Sequence, residues 1–293
     1  MNSLLKIAVL AAVVAAQCTD SCPPSHATEG ASPATYAHRI FHDFRNLDET
    51  GSLYQGEPAN ITTDAESAAA PVQEGYLTSD AFVRDWGIQT WGSPVSEDSP
   101  VRKQYSNQNV YIQTTDDSTH LVLRAYRNDD FISAAELDTK LSNILHASIR
   151  LRARVHGDPG ACAGFFTYFD NKNESDIEIL TRDPTDHLRY TNQPGVDDEG
   201  NEIPEASSDV VMPGGAVWTE WNEHRLDWTE GLSLWYLNGA EVVRKTYSVP
   251  TEPSSVILNL WGDGGSWSGE MEVGAAAYLE IEWIEILYNT SDA

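Results

Sequence analysis

Short runs in which apolar and polar residues alternate recur along the chain, at 110–113, 121–126, 147–155, 164–169, 176–180 and 187–191, then at 221–228, 232–237, 242–247, 256–261 and 278–287. A period of two puts every second side chain on one face of an extended backbone, so each run reads as a strand with a face to bury. Asn238-Gly239 separates two of these runs, and this pair accepts the positive backbone angles of a tight hairpin turn. Only 134–145 has the composition of a helix. About a dozen strands with almost no helix predict an all-β chain folded as a two-sheet antiparallel sandwich, with 278–287 as a long central strand. A chain of 293 residues is long enough to bury one large core of this kind, and no internal repeat divides it.

One run carries chemistry. In Glu174-Ser175-Asp176-Ile177-Glu178 three acids occupy alternate positions, beside the aromatic stretch Phe165-Phe166-Thr167-Tyr168-Phe169. On a strand the acids share one face while Ser175, Ile177 and Ile179 share the other. Like charges at that spacing repel and raise at least one pKa, a cost that a plain structural strand has no reason to accept. Two carboxyls with separated pKa values are what glycoside hydrolysis uses, one attacking the anomeric carbon and one protonating the leaving oxygen. Retention of configuration needs them roughly 5 to 5.5 Å apart. Residues four apart on a strand lie about 13 Å apart at Cα, so Glu174 and Glu178 must lean together, with Asp176 between them. The same spacing also suits a solvated strand face or a set of calcium ligands.

The motif Glu174-Ser175-Asp176-Ile177-Glu178 resembles the E-x-D-x-E signature of family 16 of the glycoside hydrolases. Three further segments, Gly160-Ala161-Cys162-Ala163-Gly164-Phe165-Phe166-Thr167-Tyr168, 221–228 and Leu258-Asn259-Leu260-Trp261-Gly262-Asp263-Gly264-Gly265-Ser266-Trp267-Ser268-Gly269, resemble fungal members in the same order. The resemblance covers about residues 105 to 288 and weakens before them. It implies a concanavalin A-like jelly roll, with Glu174 as nucleophile, Asp176 as its helper and Glu178 as acid/base. It also implies an endo-acting, retaining enzyme on β-glucan, with β-1,3 or mixed β-1,3/1,4 linkages. A transglycosylase shares the same intermediate, and a lectin without catalysis shares the same fold.

Flat aromatic faces suit sugar rings, and the chain has 9 Trp and 12 Tyr. Trp261 and Trp267, flanking the glycine-rich Gly262-Asp263-Gly264-Gly265, are the first candidates for stacking on sugar. Tyr168, Phe169, Trp91 and Trp218 are further candidates. Asn259, two before Trp261 and so on its face, is placed to hydrogen-bond a hydroxyl, and His224 to reach the cleft from its strand. Each Trp also has a purely structural reading as a core filler.

A net charge of −27, from 45 acids against 18 Lys and Arg, argues against nucleic acid or an anionic membrane as a partner and leaves a neutral polymer or a cation. No P-loop, dinucleotide fingerprint or H-E-x-x-H helix is present. A lysine followed by the apolar run 7–16, ending in small residues, reads as a secretory signal peptide over 1–16, so the mature protein is expected outside the cell or in the cell wall. Residues 17–35 read as a disordered lead-in and 36–290 as the catalytic domain, with 48–74 a long loop or insertion. Cys18, Cys22 and Cys162 allow at most one internal disulfide, Cys18–Cys22 or Cys22–Cys162, and Cys162 otherwise reads as a buried thiol. They offer no zinc site and no nucleophile with a histidine partner. The sequons at Asn60 and Asn289 are expected to carry glycans, and the one at Asn173, next to Glu174, to be vacant. A structural calcium is implied by some relatives, although no loop has regular ligand spacing. No cofactor is expected, and a monomer is.

Overall fold

The structure is a computed structural model and describes residues 26–28, 33–115 and 118–291; the expected leader, Cys18 and Cys22 lie outside them. In chain order the strands are β1 (His26–Ala27), β2 (Thr35–Tyr36), β3 (His38–Asp43), β4 (Trp86–Ile88), β5 (Gly92–Ser93), β6 (Arg102–Tyr105), β7 (Val110–Thr114), β8 (Thr119–Arg127), β9 (Phe131–Thr139) and β10 (Ile144–Gly157). They continue with β11 (Cys162–Asp170), β12 (Asn173–Leu180), β13 (His187–Asn192), β14 (Ser207–Val211), β15 (Asn222–Thr229), β16 (Leu232–Leu237), β17 (Ala240–Lys245), β18 (Ser255–Trp261) and β19 (Ala276–Thr290).

These strands form the expected antiparallel sandwich. The front sheet runs β14-β13-β12-β11-β18-β9-β4. The back sheet runs β17-β16-β15-β10-β19, and the far edge of β19 pairs with β8 along its first half and β3 along its second. Thus 278–287 is a long central strand, as its apolar length predicts. The first part of β9 pairs with β6 and β8 and its second part with β18, so this strand passes from one sheet to the other. Alternate residues of both sheets, among them Phe165, Ile177, Leu258, Leu226, Trp235 and Ile284, meet in one core. Each such aliphatic or Phe side chain removed from water contributes roughly 1.5 to 3 kcal/mol. The hairpin β16–β17 turns at Asn238 and Gly239, with φ of 49° and 81°, as the two-residue turn requires.

Two local expectations are corrected. Residues 134–145, read as a weak helix, lie in β9 and the start of β10. Ala134, Ala135, Glu136 and Leu137 are buried, and strand neighbours on both sides outweigh their helical propensity. The lead-in is not wholly irregular either: β1 pairs with β2, and the Thr28 hydroxyl accepts the Ala34 N–H at 3.0 Å. Within 48–74 a single short helix, α1 (Asp64–Ala68), is capped by the Thr63 side chain and docks through buried Ser67 onto Ser133 of β9.

Candidate active site

Strand β12 sits between β11 and β13 near the middle of the front sheet. Its alternation resolves as the spacing predicts: Ser175, Ile177 and Ile179 are buried in the core, and Glu174, Asp176 and Glu178 line the opposite face. The pairing register assembles a row across five strands, Arg189, Glu178, Gly164, Asn259 and Glu136. Gly164 keeps that row flat, since a Cβ there would meet Asn259 Oδ1 at 2.7 Å.

Burial raises all three acids. Glu174 is pushed up to about 7 by desolvation and by the charge of Glu178. Asp176, the most deeply buried, goes well above the carboxylate range through desolvation and then through Glu174. The proximity of these two lowers Glu174 and raises Asp176, and Asp176 Oδ1 has no hydrogen-bond partner among the described residues. Asp176 Oδ2 also accepts Gln193 Nε2–H at 2.9 Å. Glu178 is raised by desolvation and drawn back by two donors on Oε1, Trp267 Nε1 at 2.9 Å and Cys162 Sγ at 3.3 Å. The raised Glu178 agrees with expectation. Glu174, expected to be simply ionised, is raised as well, because it shares the same dry face.

Two cavities of about 510 and 620 Å³ open on either side of this strand and share Glu174, Glu178 and Trp261. The first is walled by Trp91, Lys103, Tyr105, Glu136, Tyr168 and Asn259, the second by Arg189, Gln193 and Trp267 among others. Trp261 therefore stands at the junction, with Lys103 Nζ 4.2 Å from its ring centroid. Asn259 donates to Glu136 at 3.2 Å, and its own buried Oδ1 has no hydrogen-bond partner among the described residues. Tyr168 donates to Asn171, and Trp91 Nε1 to Glu136 at 2.7 Å. The loop bearing Trp267 is tied down by Asp263, whose carboxylate accepts the hydroxyls of Ser99 and Ser268 and the N–H of Gly265. Phe169 is half exposed outside both cavities, and Trp218 is buried in the core.

His224 does not reach the cleft. Strand β15 belongs to the back sheet and turns the imidazole inward, against Phe165 at 5.5 Å between centroids. Both ring nitrogens are buried without a hydrogen-bond partner among the described residues, and desolvation lowers its pKa to about 4. Conversely, Lys103, Glu136, Asp138, Arg189 and Gln193 line the cleft without having been singled out. Glu136 and Asp138 show the same alternate-acid spacing as the main motif, masked by the helical reading of that segment. Lys103, Arg189 and Gln193 carry no sequence signal.

Cys162 is a buried thiol, free among the described residues, and Cys22, its other possible partner, lies outside them. Among the described residues no three His, Cys, Asp or Glu side chains are grouped to hold a metal ion. The acids that converge on the back sheet are taken by cations instead: Glu280 by Arg154 and His156, Glu282 by Arg152, and Glu285 by Arg39. These three carboxylates are therefore not free to hold a structural calcium. Asn60 is exposed, whereas the Asn173 amide is engaged by Asp170 and Thr251, and Asn289 Oδ1 accepts the Ala37 N–H.

Residues 98–285 match the sequence model of Glycosyl hydrolases family 16. A Beta-glucanase of Paenibacillus polymyxa is 29% identical over 139 residues, 44% of this chain and 54% of that protein. The Crh-like protein 2 of Aspergillus fumigatus is 26% identical over 152 residues, 48% of this chain and 33% of that protein. The chain thus spans about half the length of the bacterial beta-glucanases it matches. Among solved structures the fold is shared with Bacillus licheniformis beta-glucanase, at a TM-score of 0.58 and 18% identity over 74% of this chain and 95% of that one. It is shared also with the laminarinase catalytic domain of Thermotoga maritima MSB8, at a TM-score of 0.54 and 16% identity over 70% of this chain and 92% of that one. The family match extends over more than half of the sequence and contains the acid strand at its centre, and on that ground the chain belongs to glycosyl hydrolases family 16.

Proposed function

We propose that this protein is a secreted, monomeric endo-glycosidase that hydrolyses β-glucan with retention of configuration. The observation that carries the reading is the position of Glu174 and Glu178 where two cavities meet, with Asp176 on the wall of the first, so that a glucan lying through both exposes one internal linkage to the acids. In the first step a Glu174 oxygen bonds to the anomeric carbon as the glycosidic C–O bond breaks, and Glu178 gives its proton to the departing oxygen. In the second, Glu178 takes a proton from water, the water oxygen bonds to the anomeric carbon, and Glu174 is released as carboxylate. Asp176, holding its own proton, favours the ionised form of Glu174 against the burial that raises it. An uncharged polymer suits a chain of net charge −27, and Asn60 is the exposed glycan acceptor.

The protein and Glu174→Gln, incubated with β-1,3-, mixed-linkage and β-1,4-glucans while reducing ends and product sizes are followed, test this reading. Turnover to shorter products by the wild type alone supports it and names the linkage. Products longer than the donor would move it to glycosyl transfer, since both reactions share the intermediate. Glucan binding without turnover by either form would make the protein a lectin and overturn the catalytic roles.

A further inference from the structure

We infer that Trp267 and Cys162 act together as positioning residues, occupying Oε1 of Glu178 so that the transferable proton sits on Oε2. This rests on the reading of Glu178 as acid/base. The indole N–H of Trp267 and the thiol of Cys162 reach the same oxygen, at 2.9 and 3.3 Å, from a cleft-edge loop and from β11. An oxygen that accepts two donors has both lone-pair directions engaged, and a proton placed on it would face those donors head on. Oε2 has no such partner among the described residues and is the oxygen left to carry and deliver the proton.

Both donors are themselves held. Arg189 lies over the Trp267 ring, 5.2 Å from its centroid, and is fixed by Asp183 at 2.8 Å. Cys162 is enclosed on β11 between Leu180 of β12 and Trp261 of β18 and is fully buried. Its thiol is pushed far above the usual range by desolvation and the Glu178 charge, so it stays a protonated donor across the working pH. The charged and titratable groups around Glu178 are Glu174 and Asp176 on its own strand, Cys162 on β11, Arg189 on β13 with Asp183 and Asp209, and Lys103 and Glu136 on the first cavity wall. Of these only Cys162 hydrogen-bonds the acid, and Trp267 does so without titrating.

The test uses Cys162→Ala, Cys162→Ser, Trp267→Phe and Glu178→Gln in the full chain, on the glucan that the wild type turns over and on a dinitrophenyl β-glycoside of its oligosaccharide. Dinitrophenolate leaves without a proton, so that substrate bypasses the acid. Losing one donor should move the alkaline limb of kcat/KM upward by about half a pH unit, the size of one neutral hydrogen bond. Cys162→Ala and Trp267→Phe should also lose several-fold in kcat on glucan and little on the aryl glycoside, and Cys162→Ser should restore the limb. An unchanged limb in folded Cys162→Ala and Trp267→Phe, or equal losses on both substrates, overturns the inference. Glu178→Gln separates this from failure of the underlying reading: if it keeps full glucan turnover, Glu178 is not the acid.

Discussion

The indole N–H of Trp235, on the back sheet, donates to the backbone carbonyl of Asp176 at 3.0 Å. The acid strand is thereby fastened through the core to the opposite sheet, directly beneath Asp176. Trp235→Phe keeps most of the ring and removes this second donor, while the Asp176 carbonyl keeps its place in the β12–β13 ladder. Thermal or denaturant unfolding should show a loss of roughly 0.5 to 1.5 kcal/mol, the net worth of one hydrogen bond. A variant as stable as the wild type would mean that the bond fastens nothing.

The cleft acids should make the protein less stable as pH rises. The folded pKa of Glu174, about 7, lies above its ordinary 4.5, because burial favours the protonated form. Its favourable contribution is complete below about 4.5 and is lost as pH rises through about 7. Glu174→Gln removes that loss, so its advantage in Tm over wild type should be small at the acid end and grow to the equivalent of about 1 to 3 kcal/mol at pH 8. An advantage independent of pH would contradict the assignment.

Lys103 stands among Trp91, Tyr105 and Trp261, its ammonium 5.8, 5.6 and 4.2 Å from their centroids, with no hydrogen bond to the described residues. Beside Glu136 it forms a donor and acceptor pair suited to sugar hydroxyls. Lys103→Met retains the apolar stem and removes the donors. Steady-state kinetics on glucan should show KM raised about tenfold, with kcat nearly unchanged. A loss confined to kcat would place Lys103 in the chemical step instead.

On the back sheet Glu280 is held below the carboxylate range, despite burial, by His120, His156 and Arg154. Its contribution is present above its ordinary 4.5 and is lost as pH falls below it. Glu280→Gln should cost roughly 2 to 3 kcal/mol at neutral pH, less than a fully enclosed pair because Arg154 and His156 are partly exposed. The difference from wild type should shrink in acid, which unfolding curves at two pH values would show.

The strand succession, the Asn238-Gly239 hairpin and the shared face of Glu174, Asp176 and Glu178 were legible in the sequence because each depends on a period of two within a few residues. Trp261, Trp267, Asn259 and Tyr168 were legible as cleft residues because each lies on or beside a strand recognisable by its motif. Segment 134–145 was not legible, since its local propensity is helical and pairing with β18, β4 and β6 makes it a strand. His224 misled for a related reason: alternation assigns it to one face of β15 without saying which face looks inward.

The sequence by itself determined the class of fold and the row of acids, both of which follow from local periodicity. The tertiary structure alone decided that burial raises all three acids, which oxygen of Glu178 meets Trp267 and Cys162, and that Lys103 and Glu136 share the first cavity wall. Those properties arise from desolvation and from register between strands far apart in the chain, and neither is a property of any short stretch of residues.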